Sequence, residues 1–366
     1  MERLKKLLVK KIVLLIFLTL IKKVSAQNDS NKSKVKFTGY LETYYCYDFE
    51  NSKEQSRPNF AYSHNRLNEV NLNLGFVKAA YLEEGIRGNI ALMSGTYTGL
   101  NLASEPGFFR NILEANVGVK ISKNNNLWID AGIFPSHIGF ESAIGKDCWN
   151  LTRSILAENS PYYESGLKMT YNNKNEKWTF SGLLLNGWQR IQKEKGNSTI
   201  AAGHQITFKP NSNITLNSSS FFGSVKPDSI RVKRYFHNLY SQIQLNKKLG
   251  ITIGLDYGIQ QQVKDTNTYF QWFSPIVILK YQLSKKLIIN LRGEYYSDKN
   301  QVIISTGTSN GFQTNGYSIN LDYIIKENVV LRLEARQFNS KDKVFLKNKQ
   351  PSSQNFFMST ALAISF

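Results

Sequence analysis

Proline is scarce in this sequence, 8 in 366 residues. A chain so poor in proline can keep long stretches hydrogen-bonded to neighbours, since proline cannot donate to a β-ladder. Cysteine is scarcer: Cys46 and Cys148 are the whole complement, which excludes a disulfide-dense secreted scaffold. Histidine occurs four times, as His64, His137, His204 and His237. No two of them have metal-ligand spacing, and the carboxylates are scattered, so the sequence predicts no metal and no cofactor. No glycine motif of the phosphate-cradling kind is present either. Ser136, His137 and Glu141 lie close together, but adjacency in sequence does not make a nucleophile–base pair, and no catalytic residues are assigned. Past residue 26, no apolar run reaches the roughly 20 residues that a membrane-spanning helix needs. Negative charge is also in deficit, with 27 Asp and Glu against 46 Lys and Arg, a formal net charge of +19.

What is present begins at the N-terminus. Arg3, Lys5, Lys6, Lys10 and Lys11 precede an apolar run over 12–21, and Val24, Ser25 and Ala26 supply small residues before Gln27. That layout predicts a cleaved export signal over 1–26, with an uncleaved anchor as the alternative. No Leu-x-Gly-Cys site precedes Gln27, which argues against a lipid anchor. Discounting the seven basic residues and one Glu of the signal leaves +13. An exported chain rarely meets nucleic acid, so this surplus points to anionic lipid headgroups, lipopolysaccharide among them, or to anionic solutes.

The remaining chain alternates. Over 249–260, Leu249, Ile251, Ile253, Leu255, Tyr257 and Ile259 share one face, and Gly250, Thr252, Gly254, Asp256, Gly258 and Gln260 share the other. Period two sustained over twelve residues is a strand signal, slightly longer than the roughly 9–11 residues a tilted membrane strand requires. Similar segments recur at 35–49, 113–121, 127–133, 163–171, 199–208, 235–245, 287–296 and 329–338, while 65–93 and 268–283 alternate weakly. Tyr and Phe, 19 and 22 in number, suit such strands. A soluble sandwich also alternates, but its strands are usually shorter and its apolar faces need a second sheet.

Short polar connections at 122–126, 172–177, 210–213, 246–248, 284–286 and 326–328 alternate with longer ones at 50–64, 99–110, 134–161, 189–196, 226–234, 297–311 and 339–354. Together these predict an all-β fold: a transmembrane, antiparallel, up-and-down β-barrel of about 16 strands over 35–366, after a short periplasmic lead at 27–34. The last strand places Phe356, Met358, Thr360, Leu362, Ile364 and Phe366 on one face. It resembles the terminal strand of outer-membrane barrels, which makes the barrel-assembly machinery an expected partner through Phe366.

The third long connection, 134–161, is too long and too apolar to float in water, with Phe140, Ile144, Trp149, Leu151, Ile155 and Leu156. It is expected to fold inward and narrow the lumen, its constriction residues being His137, Glu141, Asp147, Trp149, Arg153 and Glu158; a surface lid is the alternative. Such an entry would carry Cys148 toward Cys46, allowing a disulfide that pins the loop. Two unpaired thiols are the leading reading, since spacing does not decide connectivity.

Four motifs carry a family resemblance: Gly132–Glu141 with its Phe-Pro-Ser-His core, Asn150–Ser154, Ser160–Gly166 and Leu185–Trp188. They resemble the putative β-barrel porin-2, OmpL-like family of Bacteroidota, over about 131–190, with the rest of the chain similar only in rhythm. The resemblance implies a barrel in the outer membrane of a Gram-negative bacterium, with a porin role. On the polar strand faces, Lys120, Lys168, Arg292, Arg332 and Arg336 oppose Glu114, Asp130, Asp256, Glu294 and Glu334 as expected pore-lining charges. The expected function is passive diffusion of small hydrophilic solutes, with a mild anion preference from the basic surplus. The alternatives are a specific uptake channel for an oligosaccharide, amino acid or anion, with Trp149, Trp188, Tyr162 and Tyr163 as stacking surfaces, or a plugged structural barrel. Oligomerisation is left open.

Overall fold

The computed structural model describes residues 34–50 and 55–366. The export signal expected over 1–26, and the lead over 27–34 except Lys34, lie outside the described residues. Strands β1 (Val35–Asp48), β2 (Val70–Glu83), β3 (Ile86–Ser94), β4 (Ile112–Lys120), β5 (Asn126–Pro135), β6 (Tyr163–Asn172), β7 (Trp178–Leu185) and β8 (Ala201–Asn211) form the first half of one sheet. It continues with β9 (Ile214–Ser224), β10 (Lys233–Gln244), β11 (Leu249–Gln261), β12 (Tyr269–Gln282), β13 (Leu287–Asp298), β14 (Phe312–Lys326) and β15 (Val329–Ser340). A small hairpin, β16 (Phe345–Lys347) and β17 (Gln350–Ser352), interrupts the final connection before β18 (Gln354–Ser365).

The sheet is a closed barrel of sixteen strands, each antiparallel to its neighbours, and β18 closes it on β1 in the register Tyr40 to Ser365. Closure leaves no edge, so every ladder N–H and C=O has a partner in a solvent that offers none. The closing pair is sealed by Gly39 and Phe366, whose backbones exchange hydrogen bonds of 2.7 and 3.0 Å. A Cβ on Gly39 would stand 2.3 Å from the Phe366 ring, so glycine is what lets the terminal aromatic lie against β1.

Alternation sorts the side chains as expected. Leu249, Ile251, Ile253, Leu255 and Tyr257 of β11 point outward, in the same rows as Tyr281, Leu279, Val277, Pro275 and Phe273 of β12. Aromatic pairs bracket this apolar belt, Trp178 with Phe208 near the short turns (ring centroids 4.1 Å apart) and Phe222 with Tyr235 near the long connections (4.8 Å). Such girdles mark the two interfaces of an outer-membrane barrel. The weakly alternating stretches hold β2, β3 and β12. In β2 and β3 the signal is blurred by register shifts, at Glu42/Thr43 between β1 and β2 and at Ala91/Leu92 between β3 and β4, and by the two-residue turn 84–85.

Candidate functional site

Which side chains face the lumen follows from period two. What meets them there is set by the third long connection, 136–162, which packs against inward-facing side chains of β1 and of β11 to β15. Arg332 of β15 donates to the carbonyl oxygens of Gly145, Cys148 and Trp149 at 2.8, 3.0 and 2.8 Å while pairing with Asp322 at 2.7 Å. Arg292 of β13 reaches the Thr152 carbonyl at 2.7 Å and Glu334 at 2.6 Å. Arg336 donates to the Arg153 carbonyl at 2.7 Å and pairs closely with Glu294. The carboxylates answer from the other direction: Glu334 accepts from the Thr152 amide at 2.6 Å, and Glu294 from the Ile155 amide at 2.7 Å. Asn320 of β14 accepts from the Leu151 amide at 2.9 Å. A loop crossing a lumen leaves its backbone groups orphaned, and this set of charged side chains satisfies them.

Small wall residues make room. A Cβ on Gly250 or Gly254 of β11 would stand 3.0 Å from Trp149 and 2.9 Å from Phe140. On the far side, Gly145 rests on Glu42 of β1, whose carboxylate also takes Tyr40 Oη at 2.5 Å, His64 Nε2 at 2.6 Å and Asn73 Nδ2 at 2.8 Å. The register shift at Glu42/Thr43 leaves Asn73 without a cross-strand partner and frees its side chain for this cluster.

The six loop residues singled out from sequence have different surroundings. His137 is buried, with Nδ1 at 2.7 Å from Glu164 and Nε2 at 2.8 Å from the Ser220 carbonyl oxygen. Burial opposes its charge, but the Glu164 carboxylate outweighs it and the pKa is raised. Glu141 caps the turn at Ser154, accepting from its amide at 2.9 Å. Arg153 staples the loop to itself through the carbonyl oxygens of Ser142, Leu151 and Ala143, at 2.7, 2.7 and 3.1 Å. Glu158 accepts from the amides of Tyr62 and Ser63, both at 3.1 Å, tying this loop to the first. Trp149 lies beneath the Lys280 ammonium, 5.4 Å away. Asp147 is the exposed member, paired with Lys146 at 2.7 Å.

The expected pore-lining charges divide into two groups. Glu114, Asp130 and Lys168 stand on β4 to β6, where Lys78 pairs with Glu114 at 2.5 Å and Arg87 grips both oxygens of Asp130 at 2.7 and 2.5 Å. Lys78 and Arg87 there keep 28 and 31 % of their side-chain surface exposed, whereas Glu114 and Asp130, expected to line the pore, are buried beneath them at 8 and 4 %. Lys168 sits 4.7 Å over the Phe134 ring, and Lys120 is exposed at the short-turn end. Arg292, Glu294, Arg332, Glu334 and Arg336 face inward but are at most 5 % exposed. The expectation that they line a wet lumen is corrected: they hold the loop, because its backbone presents more hydrogen-bonding groups than water could reach there. Asp256 is likewise buried, accepting from Asn238 Nδ2 at 2.6 Å.

Cys46 and Cys148 are free, which overturns the disulfide alternative. Cys46 accepts from Ser359 Oγ at 3.1 Å, and Cys148 points back at the Ser142 carbonyl, 3.5 Å away within its own loop. Tyr162 and Tyr163 are buried at 7 and 3 % exposure and offer no stacking surface. His204 and His237 face outward, bonded to Ser220 and Ser218 at 2.6 and 3.2 Å. The sequence reading missed Lys78 and Arg87, which fall where alternation weakens, and Glu164, whose even-numbered spacing from Lys168 was a usable signal.

Among curated proteins none matches the chain in sequence. Solved structures share its architecture at 8–10 % identity. The anion-selective porin from Comamonas acidovorans has a TM-score of 0.61 at 9 % identity, covering 92 % of this chain and all of its own. The outer-membrane channel DcaP of Acinetobacter baumannii gives 0.57 at 10 % identity, covering 92 and 99 %. OprB of Pseudomonas putida gives 0.58 at 8 % identity, covering 91 and 94 %. The family model described as putative beta-barrel porin-2, OmpL-like, matches residues 34–366, the whole barrel rather than the sixty residues that carry the motifs. The chain belongs to that family and is an outer-membrane barrel of a Gram-negative bacterium.

Proposed function

We propose that the barrel is a non-enzymatic porin for passive diffusion of small hydrophilic solutes, and that the third long connection narrows its passage. The observation carrying this reading is the division of the lumen. Toward β11 to β15 the loop and its buried ion pairs occupy the lumen, leaving at the short-turn end a cavity of about 250 Å3 lined by Trp149, Lys280, Asn290, Asp322 and Arg332. Along β2 to β8 the inward side chains Lys78, Arg87, Asn116, Lys168, Thr170, Gln205 and Thr207 are charged or polar and keep partial exposure, while Leu74, Met93, Leu183 and Leu185 on the same faces are buried nearer the long connections. Between that wall and the loop lies a cavity of about 240 Å3, lined by Lys78, Glu114, Phe140, Ile144 and Tyr162. Charges of both signs facing a narrowed aqueous path are what a diffusion pore needs: they keep the path wet and set ion preference without a tight binding site. The anion selectivity of the Comamonas acidovorans porin supports the same direction here.

The outward apolar belt supports lipid and lipopolysaccharide as surroundings, and the exposed Phe366 supports recognition by the assembly machinery. OmpT of Vibrio cholerae occurs in a trimer form, which supports self-association here as well.

Single-channel recording tests the proposal. The wild-type barrel is expected to conduct, and a variant lacking residues 142–157 to conduct severalfold more and to admit larger sugars in liposome swelling. A silent wild type beside a conducting loop deletion would favour the plugged barrel. Equal conductance of the two would remove the loop from the constriction.

A further inference from the structure

We propose that Arg234 anchors a binding site for a small carboxylate-bearing solute at the long-connection mouth of the barrel. The proposal relies on the channel reading only for how the solute arrives.

Arg234 stands one residue into β10 and is 6 % exposed. Arg292, Arg332 and Arg336 each sit in an ion pair. Arg234 has instead one neutral acceptor, Gln260 Oε1, which takes its Nε and Nη2 at 2.9 and 2.6 Å. A guanidinium carries five N–H donors in one plane. Those two bonds occupy one edge and leave the second hydrogen of Nη2 parallel to one of Nη1 along the next. The Trp188 and Trp272 rings lie 5.0 and 5.5 Å from the guanidinium carbon. The free edge offers two parallel in-plane N–H donors, and the group that matches them is a carboxylate. It would also pair directly with a buried cation whose nearby carboxylate, Asp298, gives its oxygens to the amides of Val302, Ile303 and Ile304.

There is room for one. Arg234 lines a cavity of about 260 Å3 among the connections that carry Tyr62, Glu158 and Val302, with Asn159, Ser160, Trp188 and Gln189. It also borders one of about 140 Å3 that holds Asn186 and Asn197. The amides and hydroxyl suit the polar part of a small solute, and the partly buried Trp188 its apolar part. Glu158 shares the larger cavity, but its oxygens are held by the backbone amides of Tyr62 and Ser63. Burial raises its pKa, which weakens its opposition to a second carboxylate.

The test uses the full-length folded barrel in detergent micelles, titrated with benzoate and with its neutral isostere benzamide, reading tryptophan fluorescence. Benzoate is expected to quench saturably and benzamide not to. Arg234→Gln should raise the half-saturating benzoate concentration at least tenfold while keeping the heat-modifiable migration of a folded barrel. Equal responses to benzoate and benzamide overturn the site, as does a folded R234Q that titrates like wild type. Should R234Q fail to fold, the wild-type benzoate–benzamide pair decides alone. Quenching needs no conduction. A barrel that quenches with benzoate yet passes no current would sink the porin reading and leave the site standing, whereas a conducting barrel indifferent to benzoate would sink the site alone.

Discussion

Arg292 shows what a single residue does in this lumen. Its guanidinium joins Thr152 of the loop to Glu334 of β15, with no side-chain exposure at either end of the ion pair. Removing one member of a buried pair strands the other, at a cost of about 3–5 kcal/mol. Here the stranded group is Glu334, which also accepts from Thr152, so the loss is expected to fall on the loop rather than on the ladder. Arg292→Ala should leave the barrel assembled and open residues 136–162 to limited proteolysis in micelles. A loop as resistant as that of the wild type would show that Arg332 and Arg336 suffice. None of this was legible from residue identity: Arg332, Glu334 and Arg336 were visible as an alternating charged face, but a charged face turned to water and one turned to a loop have the same sequence.

At the scale of the element, the loop is held at its entry by His137. Both ring nitrogens face acceptors, Glu164 and the Ser220 carbonyl oxygen, so only the imidazolium satisfies both. Gly203 of β8 admits it, since a Cβ there would lie 2.8 Å from Nε2. Because the folded pKa is raised above the ordinary value of about 6.5, this tether contributes fully below that value and is lost as pH rises through the folded pKa. His137→Gln should therefore cost most near pH 6 and progressively less toward pH 9, measured by guanidinium unfolding in micelles. A gap between wild type and variant that stays constant with pH would show that the imidazole does not titrate across this range, overturning the tether's pH dependence. The loop's inward course was expected from its length and apolar content. Its destination was not, because Gly250 and Gly254 read simply as the small face of a strand until Trp149 and Phe140 are found against them.

At the scale of the whole molecule, the two halves of the lumen differ in charge balance. On the side of β11 to β15, Arg292, Arg332 and Arg336 pair with Glu334, Asp322 and Glu294. On the open wall, Lys78 and Arg87 are matched by Glu114 and Asp130, while Lys168 faces an Asp130 that already gives both oxygens to Arg87. The uncompensated charge is thus cationic. Reversal potentials across a potassium chloride gradient are expected to show chloride preferred, and Lys168→Glu to move them toward cations. Cation preference in the wild type, or no shift in the variant, would place the selecting charges elsewhere.

The sequence by itself determined the barrel. Period-two alternation, scarce proline and connections alternating between short and long leave a closed sheet as the arrangement that satisfies every backbone group in hydrocarbon. Those signals are local, carried by residues two apart or by one turn. Which inward side chains meet water and which meet the loop, that the two thiols stay apart, and that Arg234 keeps a free edge are set by packing. These depend on residues distant in the chain, from 26 positions for Arg234 with Gln260 to 187 for Arg332 with Gly145, and the alternation of a strand carries no information about what will lie across the lumen from it.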